Sequence, residues 1–271
     1  MSDPAAGAGG DGRLGYRHRR VQRIRRLAAR PALRHQEEAF VVEGPKLVGE
    51  ALAAGAAVEG VYAGPGYDHE VLTRAADAGV RIFRLAPGVL ERVATTTSPQ
   101  PVVAVVAMPT VDLGALEGSS LLVVCADLRD PGNLGTVLRS AEAAGADGVV
   151  TCAGTVDAFN PKCVRASAGS LFHVPLAPGP EAPAVLERLG AWGLQRAATV
   201  AHGGVPHDEA DLTRPTALVL GNEARGLPPG VEGAIDLRLT VPIRGRAESL
   251  NVGMAAAVLC FEAARQRRRR R

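Results

Sequence analysis

Three glycine-marked turns, each following an apolar run of strand length, constrain this chain more than any other feature. They are Asp130-Pro-Gly-Asn-Leu-Gly-Thr-Val-Leu-Arg139, Leu218-Val-Leu-Gly-Asn-Glu-Ala-Arg-Gly226 and Val241-Pro-Ile-Arg-Gly-Arg-Ala-Glu-Ser-Leu-Asn-Val252. The first and third lead straight into helical periodicity. Short apolar runs alternating with helical patterns predict an α/β fold with a parallel sheet. Turns after parallel strands are where such folds place ligands, so the three can converge on one pocket.

The chain has 271 residues, enough for two ordinary domains. Residues 1–12 are small and polar, with no apolar core of a signal peptide, and read as a disordered tail. Residues 13–108 read as a first α/β domain. It opens with a basic helix over 17–29. Strands follow over 39–43, 58–63, 80–85 and 102–107, with helices over 45–54, 69–78 and 87–94 between them. Residues 109–118 contain Pro and Gly with little periodicity and read as a linker. The second domain spans 119–266. Its predicted strands are 121–126, 148–152, 172–176, 194–200, 217–220 and 237–241. Its predicted helices are 134–144, 160–168, 183–191 and a long terminal helix over 250–265. In this reading Asn133 caps the first of these helices and Ser249 the last. Residues 267–271 read as a basic tail.

Charge is concentrated at the two ends. Residues 13–34 carry nine arginines and no acid, and residues 265–271 carry six more arginines. The rest of the chain is acidic on balance. Such patches attract a polyanion, and RNA is the natural candidate, with Arg23, Arg26 and Arg30 as phosphate contacts. The alternative is a solvated helix face and a solvated tail. No run of about 18 uncharged apolar residues exists, which argues against a membrane span and makes the cytoplasm the default location. Cys125, Cys152, Cys163 and Cys260 lack paired metal-ligand spacing, and three lie in apolar runs, which predicts reduced core thiols and no metal site.

The chemistry lies in the turns. Gly221 allows a tight turn that exposes backbone amides and carbonyls, the groups that recognise an adenine edge or a ribose. The third motif starts a helix, whose open amides suit a carboxylate or phosphate. Ile243 and Leu250 could cover an apolar ring or belong to the core. In the first motif Asn133 and Arg139 are six positions apart, so they face directions about 120° apart on a helix. Arg139 either points to an anionic partner or sits on the surface beside Glu142. Lys162 and Arg165, with Ser167 nearby, stand in a glycine-ended turn that could hold an RNA phosphate. A dinucleotide-binding dehydrogenase is a poor fit, because the turn after the first strand of this domain lacks the required glycine spacing.

The three motifs, in this order over residues 119–265, resemble those of the SpoU (TrmH-like) family of RNA ribose 2′-O-methyltransferases. Residues 17–108 resemble, more weakly, that family's ribosomal-protein-like RNA-binding domain. The resemblance implies an α/β trefoil-knot methyltransferase domain and S-adenosyl-L-methionine as cofactor. It implies a homodimer formed through the terminal helix, with Gly253, Ala255, Ala256 and Ala257 allowing close packing. It maps the family's catalytic positions onto Asn133, Arg139, Glu223, Ser249 and Asn251. The cofactor-binding set becomes Leu220, Gly221, Asn222, Glu223, Gly226, Val241, Ile243, Ser249, Leu250 and Asn251. The two-domain layout resembles ribosomal-RNA members, so 23S-type rRNA is the expected substrate. A tRNA substrate, or a non-catalytic RNA-binding or assembly factor of the same fold, are the alternatives.

Overall fold

A computed structural model describes residues 12–95 and 98–269. The expected tail over 1–12 therefore lies, apart from Gly12, outside the described residues. The chain divides into two units. One comprises residues up to Met108 together with Phe159–Arg165, and the other comprises Pro109–Ala158 and Ala166–Arg271.

The first unit contains α1 (Arg19–Ala29), α2 (Pro31–Glu37), β1 (Ala39–Glu43), α3 (Pro45–Ala53), β2 (Val58–Ala63), α4 (Glu70–Asp77), β3 (Ile82–Arg84), α5 (Leu90–Val93) and β4 (Val102–Ala107). Its sheet runs β1-β4-β2-β3. β4 is antiparallel to both β1 and β2, whereas β3 runs parallel to β2. Helix α1 buries Val21, Ile24 and Leu27 on one face, the i, i+3, i+6 stripe of a core-facing helix. Helix α2 fills the stretch left without an element between the basic helix and the first strand; Pro31 opens it, at a first-turn position that needs no N–H.

Arg34 explains how two helices meet there. Its side chain is fully buried and donates to the carbonyls of Leu27 (2.7 Å) and Ala28 (3.2 Å), at the C-terminal end of α1. A guanidinium satisfies those orphan carbonyls and complements the negative end of the helix dipole. Arg34 is therefore a structural residue of the arginine cluster.

The second unit continues with β5 (Leu121–Cys125), α6 (Pro131–Ala143), β6 (Gly148–Thr151), α7 (Pro161–Ala166), β7 (Leu176–Pro178), α8 (Ala182–Ala191), β8 (Gln195–Thr199), β9 (Val205–Pro206), β10 (Thr216–Leu220), β11 (Leu237–Thr240) and α9 (Val252–Arg268). Most of α7 clusters with the first unit. The sheet order is β7-β6-β5-β10-β8-β11-β9, and every pairing is parallel. Strand β10 thus inserts between β5 and β8, which both precede it in the chain. Its five residues are all buried, as expected for a central strand covered on both faces.

Three expectations are corrected. Residues 109–118 do not form a free linker: Leu113 and Leu116 are buried in the core of the second unit, and Val111 packs against it. Their two leucines are core side chains that the Pro/Gly content obscured. Of the expected tail over 267–271, Arg267 and Arg268 belong to α9, and Arg270 and Arg271 lie outside the described residues. Arg267 donates to the carbonyls of Leu212, Ser120 and Arg214 at 2.9–3.0 Å. The run 172–176 is not a strand; a short 3-10 turn over Ser170–Phe172 precedes β7, which begins at Leu176. All four cysteines are buried, and among the described residues none forms a disulfide.

Candidate active site

The site grows from the C-terminal ends of adjacent parallel strands. β10 ends at Leu220, and Gly221 turns the chain. A Cβ there would lie 2.5 Å from the carbonyl group of Gly226 and 2.7 Å from the nitrogen of Leu227, so only glycine fits. Two backbone hydrogen bonds close the loop, Asn222 N–H to Gly226 O (2.7 Å) and Gly226 N–H to Asn222 O (2.9 Å). Gly226 itself has φ +72°, a conformation that glycine adopts at no steric cost. The Asn222 side chain braces the turn from within. Its Oδ1 accepts from the amides of Ala224 and Arg225, and its Nδ2 donates to the carbonyl of Asp127.

The first motif faces this loop. Helix α6 begins at Pro131 and its cap is Asp130, whose carboxylate accepts from the Asn133 amide at 2.9 Å. Asn133 is therefore not the cap, and its side chain is available for other work. It donates to Glu223 Oε1 (2.9 Å) and accepts from Asn251 Nδ2 (2.9 Å). Glu223 also accepts from the amides of Arg129 (3.1 Å) and Asp130 (3.2 Å). Burial acts to raise its pKa, but the hydrogen bonds from Asn133 and from backbone amides outweigh it and hold the carboxyl below its ordinary range.

The third motif joins at the same point. Asn251, not Ser249, caps α9, accepting from Gly253 N–H at 2.9 Å. One asparagine amide, that of Asn133, thus links residues from all three glycine-marked motifs. Ser249 is exposed on the loop before the helix.

Beside this network lies a cavity of about 390 Å³, within the usual size of small-molecule sites. Gly221, Asn222, Glu223, Gly226, Val241, Ile243, Ser249, Leu250 and Asn251 all line it. Leu220 does not: it is fully buried within β10, a strand covered on both faces. The sequence reading missed Thr199, Val200 and Ala201 at the end of β8, together with Ala224, Leu239, Val252, Ala255 and Leu259. Only the strand order brings β8 next to β10, and periodicity carries no strand order. The lining combines exposed loop backbone, aliphatic side chains and one carboxylate held ionised. It therefore suits a ligand with an apolar ring, hydrogen-bonding edges and a positive charge.

Arg139 is exposed on α6 and is not part of the cavity wall. Among the described residues it makes no hydrogen bond or ion pair. The alternative pairing with Glu142 is not formed; the Glu142 carboxylate accepts from the Ser170 hydroxyl instead.

The candidate RNA contacts separate into two kinds. Arg26 and Arg30 are exposed on and just after α1, and Lys162 is exposed on α7. Arg23 is held by Glu37 and Glu59; the hydrogen bond to Glu59, set against burial, raises its pKa further. It clamps α1 to α2 and β2, a role invisible in the sequence because both acids lie outside the arginine-rich stretch. Arg165 is half-buried and donates to Thr95 Oγ1 at 2.7 Å. Ser167 is fully buried.

Comparison with known proteins places these features. The model of the SpoU rRNA Methylase family matches residues 120–261, and that of the MRM3-like substrate binding domain matches residues 18–104. The chain is 36% identical over 228 residues to the 23S rRNA (guanosine(2553)-2′-O)-methyltransferase RlmP of Bacillus subtilis, covering 84% of this chain and 89% of that protein. It is 37% identical over 177 residues to the 23S rRNA (uridine(2479)-2′-O)-methyltransferase of Streptomyces viridochromogenes, covering 63% and 62% respectively. The crystal structure of the SpoU methyltransferase AviRb from the same organism, in complex with AdoMet, superposes with a TM-score of 0.83 at 29% identity. It covers 93% of this chain and 100% of AviRb.

Proposed function

Because the chain belongs to the SpoU rRNA Methylase family, we propose that it transfers a methyl group from S-adenosyl-L-methionine to a ribose 2′-hydroxyl of 23S-type rRNA. The observation that carries this reading is the convergence of Glu223, Asn133 and Asn251 on one hydrogen-bonded chain beside a cavity of suitable size.

The residues present fit the cofactor. Val241, Ile243 and Leu250 offer apolar surface, the Gly221–Gly226 loop offers backbone groups, and Glu223 offers the negative charge that a cationic ligand needs. When bound, S-adenosyl-L-methionine supplies the methyl group on a sulfonium, already a good electrophile. What remains for the protein is to position the ribose hydroxyl and manage its proton. Arg139 lies about 9 Å along α6 from Asn133, and helical side chains lean toward the N-terminus, here toward Asn133. A guanidinium offers five N–H donors and no acceptor, so Arg139 acts by charge and N–H donation on the developing alkoxide rather than as a base, and the hydroxyl proton passes to water or an RNA phosphate oxygen. Asn133 and Asn251 hold the nucleotide side of the site in register, and Ser249 borders it.

The same reading covers assembly and location. The second unit carries the trefoil knot of its family, a topology with which the insertion of β10 between β5 and β8 agrees. The homodimer forms through α9, where two of the four small residues named from sequence face the protein's own interior. Gly253 and Ala256 are buried, and a Cβ on Gly253 would come within 3.0 Å of Thr136 on α6. Met254 and Phe261, 62% and 52% exposed and seven positions apart, form the outward apolar stripe. Arg26, Arg30 and Lys162 contact RNA phosphates. The cytoplasm is the proposed location; among the described residues no helix is long and apolar enough to cross a membrane.

Arg139→Ala tests the mechanism. Loss of methyl transfer by about 100-fold or more, with cofactor affinity kept, is the expected result. Near wild-type transfer by this variant would remove Arg139 from the reaction.

A further inference from the structure

Two loops of the second unit are laced together by a reciprocal exchange. Glu223, on the loop after β10, accepts from the backbone of Arg129 and Asp130. Asp127, on the loop after β5, accepts in return from Asn222 and Arg225. Asp127 has φ +67°, in the left-handed region that few residues other than Gly, Asn and Asp visit. That conformation sets its carboxylate between two cations. Oδ1 pairs with Arg129 Nη2 at 2.5 Å and Oδ2 with Arg225 Nη2 at 2.8 Å.

The charge balance around this carboxylate is uneven. One acid, only 18% exposed, holds two guanidiniums whose side chains are 60% and 70% exposed. Each guanidinium has five N–H donors, so most of them face solvent. The two like charges are fixed on opposite oxygens of one carboxylate, one cation in excess of that acid, with Asp130 and Glu223 the other acids of the two loops. Neither arginine lines the 390 Å³ cavity, although Ala224 and Gly226 on either side of Arg225 do. An anion bound by this pair would therefore sit outside the cofactor cavity, on the flank that also carries Asn133 and Glu223.

We propose that Arg129 and Arg225 form a phosphate-binding pair for the backbone of the RNA substrate, organised by the carboxylate of Asp127. This rests on the reading of the protein as an RNA methyltransferase. Phosphate is the fitting anion because the forked donors of arginine match its oxygens. Such a contact fixes the register of the strand without reading its sequence.

The test uses the full chain and transcribed, unmodified 23S rRNA, with binding measured across a salt series. Each phosphate contact contributes about 0.7–0.9 to the slope of log affinity against log salt. The Arg129→Gln/Arg225→Gln double variant is expected to lower that slope by about 1.5 and to weaken RNA binding about tenfold at moderate salt. Its Kd for S-adenosyl-L-methionine should stay within about twofold of wild type. Asp127→Asn tolerates the same backbone and keeps both cations but loses the carboxylate that organises them, so its slope should fall by less than that of the double variant. An unchanged slope in the double variant would overturn the proposal, as would an equal loss of slope in Asp127→Asn. A rise in cofactor Kd without a change of slope would make the pair purely structural and overturn it too. Failure of the wild-type protein to methylate rRNA would instead overturn the underlying reading, and it is seen before any variant is compared.

Discussion

Gly221→Ala separates the closed loop from the rest of the fold. The added Cβ would stand 2.5 Å from the Gly226 carbonyl group and 2.7 Å from the Leu227 nitrogen. Those are backbone atoms, with no rotamer to escape into. Restoring ordinary contact requires a shift of roughly 1 Å. That shift stretches the 2.7 and 2.9 Å bonds between Asn222 and Gly226 past hydrogen-bonding distance. Each net backbone hydrogen bond is worth about 1 kcal/mol, and the Asn222 side-chain brace is disturbed with them. The closed loop is thus disfavoured by about 2–4 kcal/mol. Only the closed loop presents the cavity wall, so the apparent cofactor Kd should rise about 30- to 1,000-fold. Isothermal titration with S-adenosyl-L-methionine reads this directly, alongside circular dichroism to show that the fold persists. A Kd within about threefold of wild type would refute the reasoning.

Other perturbations probe separate parts. Glu223→Gln should destabilise the protein by under about 1 kcal/mol at neutral pH, the group being largely exposed. Because the folded-state pKa is lowered, the difference from wild type should be full above the ordinary value of 4.5 and vanish as pH falls below it; thermal melts across that window would show it. Arg34→Leu leaves the carbonyls of Leu27 and Ala28 without their buried donor, and Tm should fall by about 5–10 °C for a loss of about 2–3 kcal/mol. Met254→Asp combined with Phe261→Asp should yield a monomer in size-exclusion chromatography with light scattering, whereas an unchanged mass would move the dimer surface elsewhere.

Much of this was legible in the sequence for a physical reason. Glycine-marked turns after apolar runs report strand ends, and strand ends report the cavity. Gly221 was placed at a ligand loop on those grounds and Asn251 by the family resemblance; both line the cavity, whose occupant is a proposal. Capping was less legible. Asp130, Asn133, Ser249 and Asn251 are all good capping residues, so composition could not tell which ones cap and which link loops. Pro131 at the first helical position and the 2.9 Å bond from Asn133 N–H to Asp130 settle it only in three dimensions. Strand order was not legible at all. Thr199 to Ala201 reach the cavity because β10 lies beside β8, a pairing between residues about 20 apart that no local pattern encodes. Charge was legible in amount but not in use, since Arg23, Arg34 and Arg267 serve carboxylates and carbonyls of the fold itself.

The central claim is ribose methylation of rRNA. The most direct measurement is transfer of labelled methyl from S-adenosyl-L-methionine to separate pools of unmodified 23S rRNA and tRNA, with the modified nucleoside then analysed for sugar or base methylation. The account predicts label on a ribose 2′-oxygen in 23S rRNA. Label on tRNA ribose would overturn the substrate, and protein that binds cofactor yet labels neither pool would contradict the claim itself, leaving an RNA-binding factor that keeps the fold without the reaction.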